Sequence, residues 1–328
     1  MFRKVLAIDR VGHSFEVIND FISIITTDGN CLIYKNHNKG NYTNIEGMFS
    51  GLCFYSGNEL FLNEGFTSRV IDINSYNSLK ISCKVEIVKG NRIIASEKEE
   101  RQRYLISRLM NQSTEWKIPL KKGKHILLEQ NILVNSKYLD DGVLYGYDLY
   151  NGLLIWTFEI SRLGKWIDYD GTEKKIQVEK LLGSYKGKVY LYLNSGKILL
   201  LDIESGKKIC VLENDKDSNY NTFGNSIELD VENNSLVQLA KQDLIEIDLT
   251  SSEVSQTPIE AMKSSTLENY SYIPFDSDNI YFTDKNNQTL GALNRKTHKL
   301  DWIHKLSQEG QSQSVQPRYG RILKFKNG

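Results

Sequence analysis

Apolar and polar residues alternate along much of this chain, in short runs that are separated by turn-forming residues. The clearest unit, residues 142–158 (GVLYGYDLYNGLLIWTF), has Asp148 at the end of its first run and Trp156 in its second. Alternation with a period of two is typical of half-buried β-strands, and an intervening Asn-Gly favours a tight turn with positive φ. The unit therefore predicts two antiparallel strands joined by a turn at Asn151 and Gly152.

The same unit recurs along the chain, and we call its reference aspartate, or the residue in that place, the anchor. Residues 196–212 (GKILLLDIESGKKICVL) form a second copy, with Asp202 as the anchor, Gly206 four residues on and Cys210 in place of the tryptophan. Weaker copies have anchors at Asn36, Asp72, Arg108, Asp248 and Asn294. The seven anchors are 36, 36, 40, 54, 46 and 46 residues apart, which indicates a repeat architecture.

A further hairpin precedes the anchor strand, so each repeat contains four strands. Such hairpins are predicted at residues 15–25, 86–95, 184–193, 231–239, 275–283 and 316–325. Four short strands are one blade of a β-propeller, and blades must stack in a ring to cover their faces. We predict an all-β, single-domain propeller over residues 1–328, with eight four-stranded blades or, alternatively, seven. In the eight-bladed form, residues 2–8 pair with residues 321–325 and close the ring.

The stretches Asp148–Trp156, Asp202–Cys210 and Asn294–Trp302 resemble the repeat of quinoprotein-like (pyrroloquinoline-quinone-type) propellers, in which Leu-Asp is followed by Thr-Gly and then Trp. The resemblance implies that the Asp caps a turn and that the Trp packs between blades. The family includes exported quinone-dependent dehydrogenases, a lipoprotein that assists outer-membrane protein assembly, and bare interaction propellers. The dehydrogenases have a calcium site and adjacent cysteines, which this sequence lacks, so the resemblance implies the fold without that activity.

Composition and charge narrow the classes of partner. The 41 basic and 41 acidic side chains cancel, which argues against a nucleic-acid or membrane-surface partner. No stretch of 18 apolar residues spans a bilayer, and the apolar run at residues 5–8 is too short for a signal core, so a cytoplasmic location is expected. The four cysteines, at positions 31, 53, 83 and 210, include no CxxC pair and predict buried or half-buried thiols.

No catalytic, cofactor or metal motif stands out, and the five histidines are scattered. Asp168 and Asp170, like Asp140 and Asp141, lack the spaced ligands and glycine turn of a calcium loop. We therefore predict no cofactor and no metal. The charged run at residues 98–103 (KEERQR) predicts a solvated loop between two strands.

One segment breaks the repeat spacing. The 54-residue interval after Asp148 contains an insertion at residues 161–175 (SRLGKWIDYDGTEKK), predicted as a loop between blades. The segment either covers one end of the ring or binds a partner, because Trp and Tyr are frequent anchors of protein interfaces. The predicted partner-binding residues are Trp166, Ile167, Tyr169 and, in a second segment at residues 216–223, Tyr220.

These observations favour a non-enzymatic, cytoplasmic scaffold that binds a protein partner, in the narrowest form an immunity protein that neutralises a toxin. Rigid scaffolds with variable loops are suited to recognition. The alternative is an enzyme or small-ligand binder that uses the central channel, where polar residues from several blades meet without any local motif.

The predicted ring closure gives a first test. Removing about eight residues from either end should lower the melting temperature of the whole domain, because each end would supply a strand to the same blade. Thermal unfolding of the two truncated proteins, followed by circular dichroism, measures this. An unchanged melting temperature for either protein would contradict the closure.

Overall fold

The structure is a computed structural model of the 328-residue chain. It describes residues 11–18, 21–26, 28–35, 42–50, 53–100, 102–109, 114–119, 123–137, 142–168, 170–213, 223–224, 226–240, 242–264, 275, 278–283 and 289–305. These residues form strands almost throughout, with one short α-helix, α1 (Glu260–Ser264).

Seven sheets of three or four strands follow one another along the described part of the chain, and strand order follows chain order in each. The first sheet contains β1 (Val11–Ile18), β2 (Phe21–Thr26), β3 (Cys31–Lys35) and β4 (Tyr42–Ile45). The second contains β5 (Cys53–Ser56), β6 (Glu59–Glu64), β7 (Thr67–Asp72) and β8 (Ser78–Ile81). The third contains β9 (Lys84–Lys89), β10 (Arg92–Glu99), β11 (Gln102–Leu109) and β12 (Thr114–Pro119).

The remaining sheets continue the series. The fourth contains β13 (Gly123–Leu127), β14 (Ile132–Lys137), β15 (Val143–Asp148) and β16 (Leu154–Glu159). A separate two-stranded hairpin follows, with β17 (Lys165–Ile167) and β18 (Glu173–Lys175). The fifth sheet contains β19 (Val178–Tyr185), β20 (Lys188–Leu193), β21 (Ile198–Asp202) and β22 (Lys208–Leu212). The sixth contains β23 (Glu228–Asp230), β24 (Ser235–Ala240), β25 (Asp243–Asp248) and β26 (Val254–Pro258), and the seventh contains β27 (Asn279–Thr283), β28 (Thr289–Asn294) and β29 (Leu300–Lys305).

The repeat unit read from the sequence is thus confirmed as a sheet of consecutive strands. The described anchors lie at or near the end of the third strand of a four-stranded sheet or, for Asn294, of the second strand of the three-stranded seventh sheet. The last predicted hairpin, at residues 316–325, and the predicted N-terminal strand, at residues 2–8, lie outside the described residues. The number of blades and the ring closure therefore stay predictions.

The anchor residue organises the same turn in five sheets. In each, the anchor N–H donates to the carbonyl five residues on, at 2.8–3.0 Å, and the anchor carbonyl accepts from the N–H four residues on, at 2.7–2.9 Å. The anchor Oδ1 also accepts from the N–H three residues on, at 2.7–3.0 Å. The residue four positions on has φ between 54° and 70° in every case. The anchors that make this turn are Asp72, Asp148, Asp202, Asp248 and Asn294.

Two tryptophans join the turn of one sheet to the outer strand of the sheet before it. The Trp116 indole N–H donates to the Leu149 carbonyl at 2.8 Å, and that of Trp156 donates to the Ile203 carbonyl at 2.9 Å. The accepting residue directly follows the anchor in both cases, and both tryptophans are buried, with 8% and 6% of their surface exposed. The predicted packing of these two tryptophans between sheets is confirmed.

Glycine is required where the indole meets the turn. A Cβ on Gly152 would lie 2.7 Å from the Trp116 ring, and one on Gly206 would lie 2.6 Å from the Trp156 ring. A Cβ on Gly146, in β15, would also overlap the Trp156 ring, so this indole lies in a slot between two glycine backbones. Both turn glycines have positive φ, which side-chain-bearing residues rarely adopt.

A β-bulge accompanies this outer-strand position. The register shifts immediately before Trp116, Cys210 and Trp302, whereas the outer strands of the second and sixth sheets pair without a shift. A bulge re-aims the side chain that follows it. Trp302 occupies the expected position but is only half-buried, with its ring 6.3 Å from that of Tyr281.

Apolar clusters fill the space between successive sheets. One cluster joins the first and second sheets, a second joins the second and third, a third joins the fifth and sixth, and a fourth joins the sixth and seventh with α1. Cys31 and Cys83 are buried and Cys210 is half-buried, and these three described thiols form no disulfide, as predicted. Contact density divides the chain into two compact units, Met1–Leu127 with Tyr147–Leu154, and Leu128–Gly146 with Ile155–Gly328.

Most of the charged run at residues 98–103, which was expected to be a loop, lies in two strands. It forms the ends of β10 and β11, with only residues 100 and 101 between them, rather than a loop. Lys98 and Arg103 lie over the Phe66 ring, with the Lys98 Nζ 5.4 Å and the Arg103 Cζ 4.8 Å from its centroid. Cation–π contacts of this kind stabilise the extended strand ends, while the charged groups stay exposed.

The slot around Trp156 gives a test of the packing. Replacing Trp156 with Ala should lower the free energy of unfolding by about 3–5 kcal/mol, because the change leaves a cavity and the Ile203 carbonyl loses its donor. Urea denaturation measures the effect. Thr157→Ala, at the exposed neighbouring position, is the matched control and should cost less than about 0.5 kcal/mol. Equal effects of the two changes would show that the indole does not stabilise the fold.

Candidate functional site

The segment predicted as an insertion loop forms a short 3-10 turn, Ile160–Leu163, followed by the β17–β18 hairpin, which we call the insertion hairpin. Gly164, with φ 85°, joins the two. At the tip, the Asp168 N–H donates to the Thr172 carbonyl and the Gly171 N–H to the Asp168 carbonyl, both at 2.9 Å. The insertion is therefore an ordered element outside the repeating sheets.

Ion pairs support the insertion hairpin. The Lys165 ammonium lies 2.5 Å from the Glu173 carboxylate, diagonally across the hairpin, and Lys174 pairs with Asp168. Hydrogen bonds from the Thr172 hydroxyl and N–H lower the pKa of Asp170, which caps the turn. These acids thus have partners within the hairpin.

The predicted partner-binding residues have different surroundings. Ile167 is 74% exposed. Trp166 pairs with Lys174 across the hairpin and is half-buried, and its indole N–H is shielded from solvent without an acceptor among the described residues. Tyr169 and Tyr220 lie outside the described residues. Within the described part of the insertion, Ile167 is thus the large apolar side chain that is most available to a partner.

An open groove of about 390 Å³ begins where the insertion begins. Its walls come from the end of β16, from the 3-10 turn and from the Asp202 turn that leads into β22. The lining residues are Thr157, Phe158, Arg162, Leu163, Ser205, Gly206, Lys207 and Lys208, and we call this site the basic groove. The basic groove was not predicted from the sequence, although Gly206 is followed directly by two lysines, which indicate a positively charged turn.

The Asp202 turn is a stable wall for the basic groove. Ser205 donates to Asp202 Oδ1 through its hydroxyl at 2.6 Å and through its N–H at 2.8 Å. These hydrogen bonds, and more weakly the charge of Lys207, lower the pKa of Asp202, so the turn keeps its capping carboxylate ionised at neutral pH. Trp156 packs against Gly206 from the other side.

A second cavity, of about 210 Å³, lies between the second and third sheets. Glu59, Asp72 and Arg108 supply its charged lining. Burial and the neighbouring Asp72 raise the pKa of Glu59. Two acidic groups and one basic group thus line this cavity.

The described residues contain no group of three or more His, Cys, Asp and Glu side chains that is placed to hold a metal ion. None of their helices has the length and apolar character that crossing a membrane requires.

Comparisons with known proteins identify the fold. No protein-family model matches the chain, and no curated protein matches its sequence. Solved structures do match: BamB from Moraxella catarrhalis is 11% identical, with a TM-score of 0.57, over 92% of this chain and 89% of that one. Sqt1 from Saccharomyces cerevisiae is 11% identical, with a TM-score of 0.59, over 90% and 85%. A europium-containing methanol dehydrogenase is 10% identical, with a TM-score of 0.57, over 90% and 78%.

The chain is an all-β propeller. This confirms the predicted fold class, and the likeness to BamB and to the methanol dehydrogenase, both propellers of the quinoprotein type, confirms the predicted resemblance in fold. Identities near 10% carry the fold alone. Because one of these propellers is an enzyme by its name, the fold does not select between binding and catalysis.

The geometry of the insertion hairpin predicts that it is separable from the repeating sheets. Deleting residues 165–174 should change the free energy of unfolding by less than about 1 kcal/mol, because changes in surface segments are tolerated well. Urea denaturation of the deleted and intact proteins measures this. A deleted protein that fails to fold would instead show that the hairpin is a structural cover.

Proposed function

We propose that this protein is a non-enzymatic β-propeller that binds a protein partner through the insertion hairpin. The observation that carries the proposal is Ile167, a large aliphatic side chain that is 74% exposed on an ordered hairpin outside the repeating sheets. Burying such a side chain against a partner is favourable by about 1.5–3 kcal/mol. A cytoplasmic location, expected from the sequence, stays part of this proposal.

The frame around Ile167 supports the same function. The Lys174–Asp168 pair, in which the Asp168 side chain is largely buried, and the capped turn favour one conformation of the hairpin before any partner arrives, whereas the exposed Lys165–Glu173 pair contributes little. A pre-ordered contact element loses less conformational entropy on binding than a flexible loop does. Trp166 precedes Ile167 on the same strand and, because successive side chains of a strand point to opposite faces, its half-buried ring lies on the other face of the hairpin.

Two further hypotheses make different predictions. If the protein neutralises a toxin, the captured partner will be an enzyme whose activity falls when this protein binds it. If the propeller instead acts on a small ligand in its central channel, a thermal-shift screen with metals, quinones, sugars and nucleotides will raise its melting temperature, since ligands stabilise the folded state.

The test of the proposal is capture of proteins from native extract by purified wild type and by Ile167→Asp. The charged side chain should reduce the recovered amount of a specific partner by about tenfold or more, because an unpaired charge would be desolvated in the interface. Mass spectrometry of the captured proteins quantifies the loss.

Val231→Asp is the matched control, since it makes the same kind of change at an aliphatic residue that is 52% exposed in a turn of the sixth sheet. It should leave capture unchanged. Equal capture by wild type and Ile167→Asp would place the interface elsewhere, and equal losses in both variants would show that the effect is not specific to the hairpin.

A further inference from the structure

The basic groove has two exposed lysines, of which Lys207 acts weakly on the pKa of the neighbouring Asp202. Lys207 and Lys208 are exposed and form no ion pair with any described residue. The third cation, Arg162, pairs with Glu159 at 3.0 Å, where both side chains are largely exposed to solvent. Exposed pairs of this kind are weak and exchange readily. The groove is therefore a positive site on a protein whose total formal charge is zero.

The positive charge of Lys207 and Lys208 is a feature of this groove and is not part of the repeat motif. The other tryptophan turn, at Trp116 and Gly152, offers an internal comparison. There Leu153 and Leu154 occupy the positions of Lys207 and Lys208, and Lys117, in the position of Thr157, pairs with Glu97 and Glu99. The same hydrogen-bonded turn thus forms with leucines at these two positions, so the turn geometry does not call for lysines.

The apolar part of the lining restricts the kind of anion. Phe158 and Leu163 are half-buried in the groove, next to the lysines. A ligand that fills the site therefore has carboxylates for the ammonium groups and an aliphatic group for the apolar wall. The groove is open and its walls are ordered, because the Asp202 turn is fixed by Ser205 and by the Trp156 indole.

We infer that the basic groove binds an acidic peptide segment in which aspartate or glutamate alternates with an aliphatic residue. This deepens the proposed function and rests on it, since the segment would belong to the protein partner that contacts the insertion hairpin. The groove begins at Arg162 and Leu163, in the 3-10 turn that directly precedes the hairpin. One partner can therefore occupy both elements.

Fluorescence polarisation with a labelled ten-residue peptide of alternating Glu and Leu tests the inference on the purified full-length protein. The peptide should bind, its affinity should fall as salt rises, and the double variant Lys207→Glu with Lys208→Glu should weaken binding by about tenfold or more. The milder Lys207→Gln with Lys208→Gln should weaken it less, because it removes the attraction without adding repulsion.

Lys299→Glu is the matched control. Lys299 is exposed and stands five residues after Asn294, as Lys207 stands five residues after Asp202, and the carbonyls of both lysines accept from the anchor N–H at 2.8 Å. This variant should bind the peptide as the wild type does. No binding by the wild type, or equal binding by the Lys207 and Lys208 variants, would overturn the inference.

Two more measurements test whether the ligand is a peptide rather than a nucleic acid, and whether the groove binds it independently of the hairpin. A labelled single-stranded ten-residue oligothymidylate should bind at least tenfold more weakly than the peptide, and equal or tighter binding would overturn the choice of an acidic peptide. Ile167→Asp should still bind the short peptide while losing the whole partner. If Ile167→Asp keeps the partner but the lysine variants lose the peptide, the hairpin proposal fails and the groove remains a binding site.

Discussion

The packing of an indole ring against a glycine turn in the next sheet is the contact on which the middle of this structure depends. Trp156 fills a slot between Gly146 and Gly206, and its N–H reaches the Ile203 carbonyl. A four-stranded sheet cannot cover its own faces, so its stability depends on such contacts with the next sheet. The indole supplies apolar contact area and a directed hydrogen bond together, which fixes the position of the turn as well as its distance.

Where this contact is missing, other groups take its place. Cys210 occupies the tryptophan position in the fifth sheet, and the corresponding turn in the sixth sheet has Ser252 instead of glycine at positive φ. Between the sixth and seventh sheets, Arg295 stands where the four other anchors of the shared turn are followed by an aliphatic residue. It is buried and pairs with Asp230 and with Glu246. A buried ion pair fixes geometry well, but removing one partner leaves an uncompensated charge and is costly.

The candidate sites follow from this framework. One wall of the basic groove is the Asp202 turn, against which Trp156 packs, and the other is the end of β16 with the 3-10 turn. The insertion hairpin begins directly after that 3-10 turn. The propeller likeness does not distinguish an interaction module from an enzyme, because function on such a scaffold depends on the side chains and insertions added to it. Here those additions are an exposed aliphatic residue on the insertion hairpin and two lysines that form no ion pair with a described residue.

The sequence by itself determined the repeat, because turn chemistry is local: the anchor side chain, the residue at positive φ and the alternating strands lie within about ten residues. It also located the insertion, through the break in spacing. Tertiary structure decided what depends on distant residues. Lys98 and Arg103, in the charged run that forms strand ends, contact Phe66 of the preceding sheet. The bulge before Trp116 directs its ring at a turn more than 30 residues away. The basic groove likewise unites residues some 50 positions apart, and only folding brings them together.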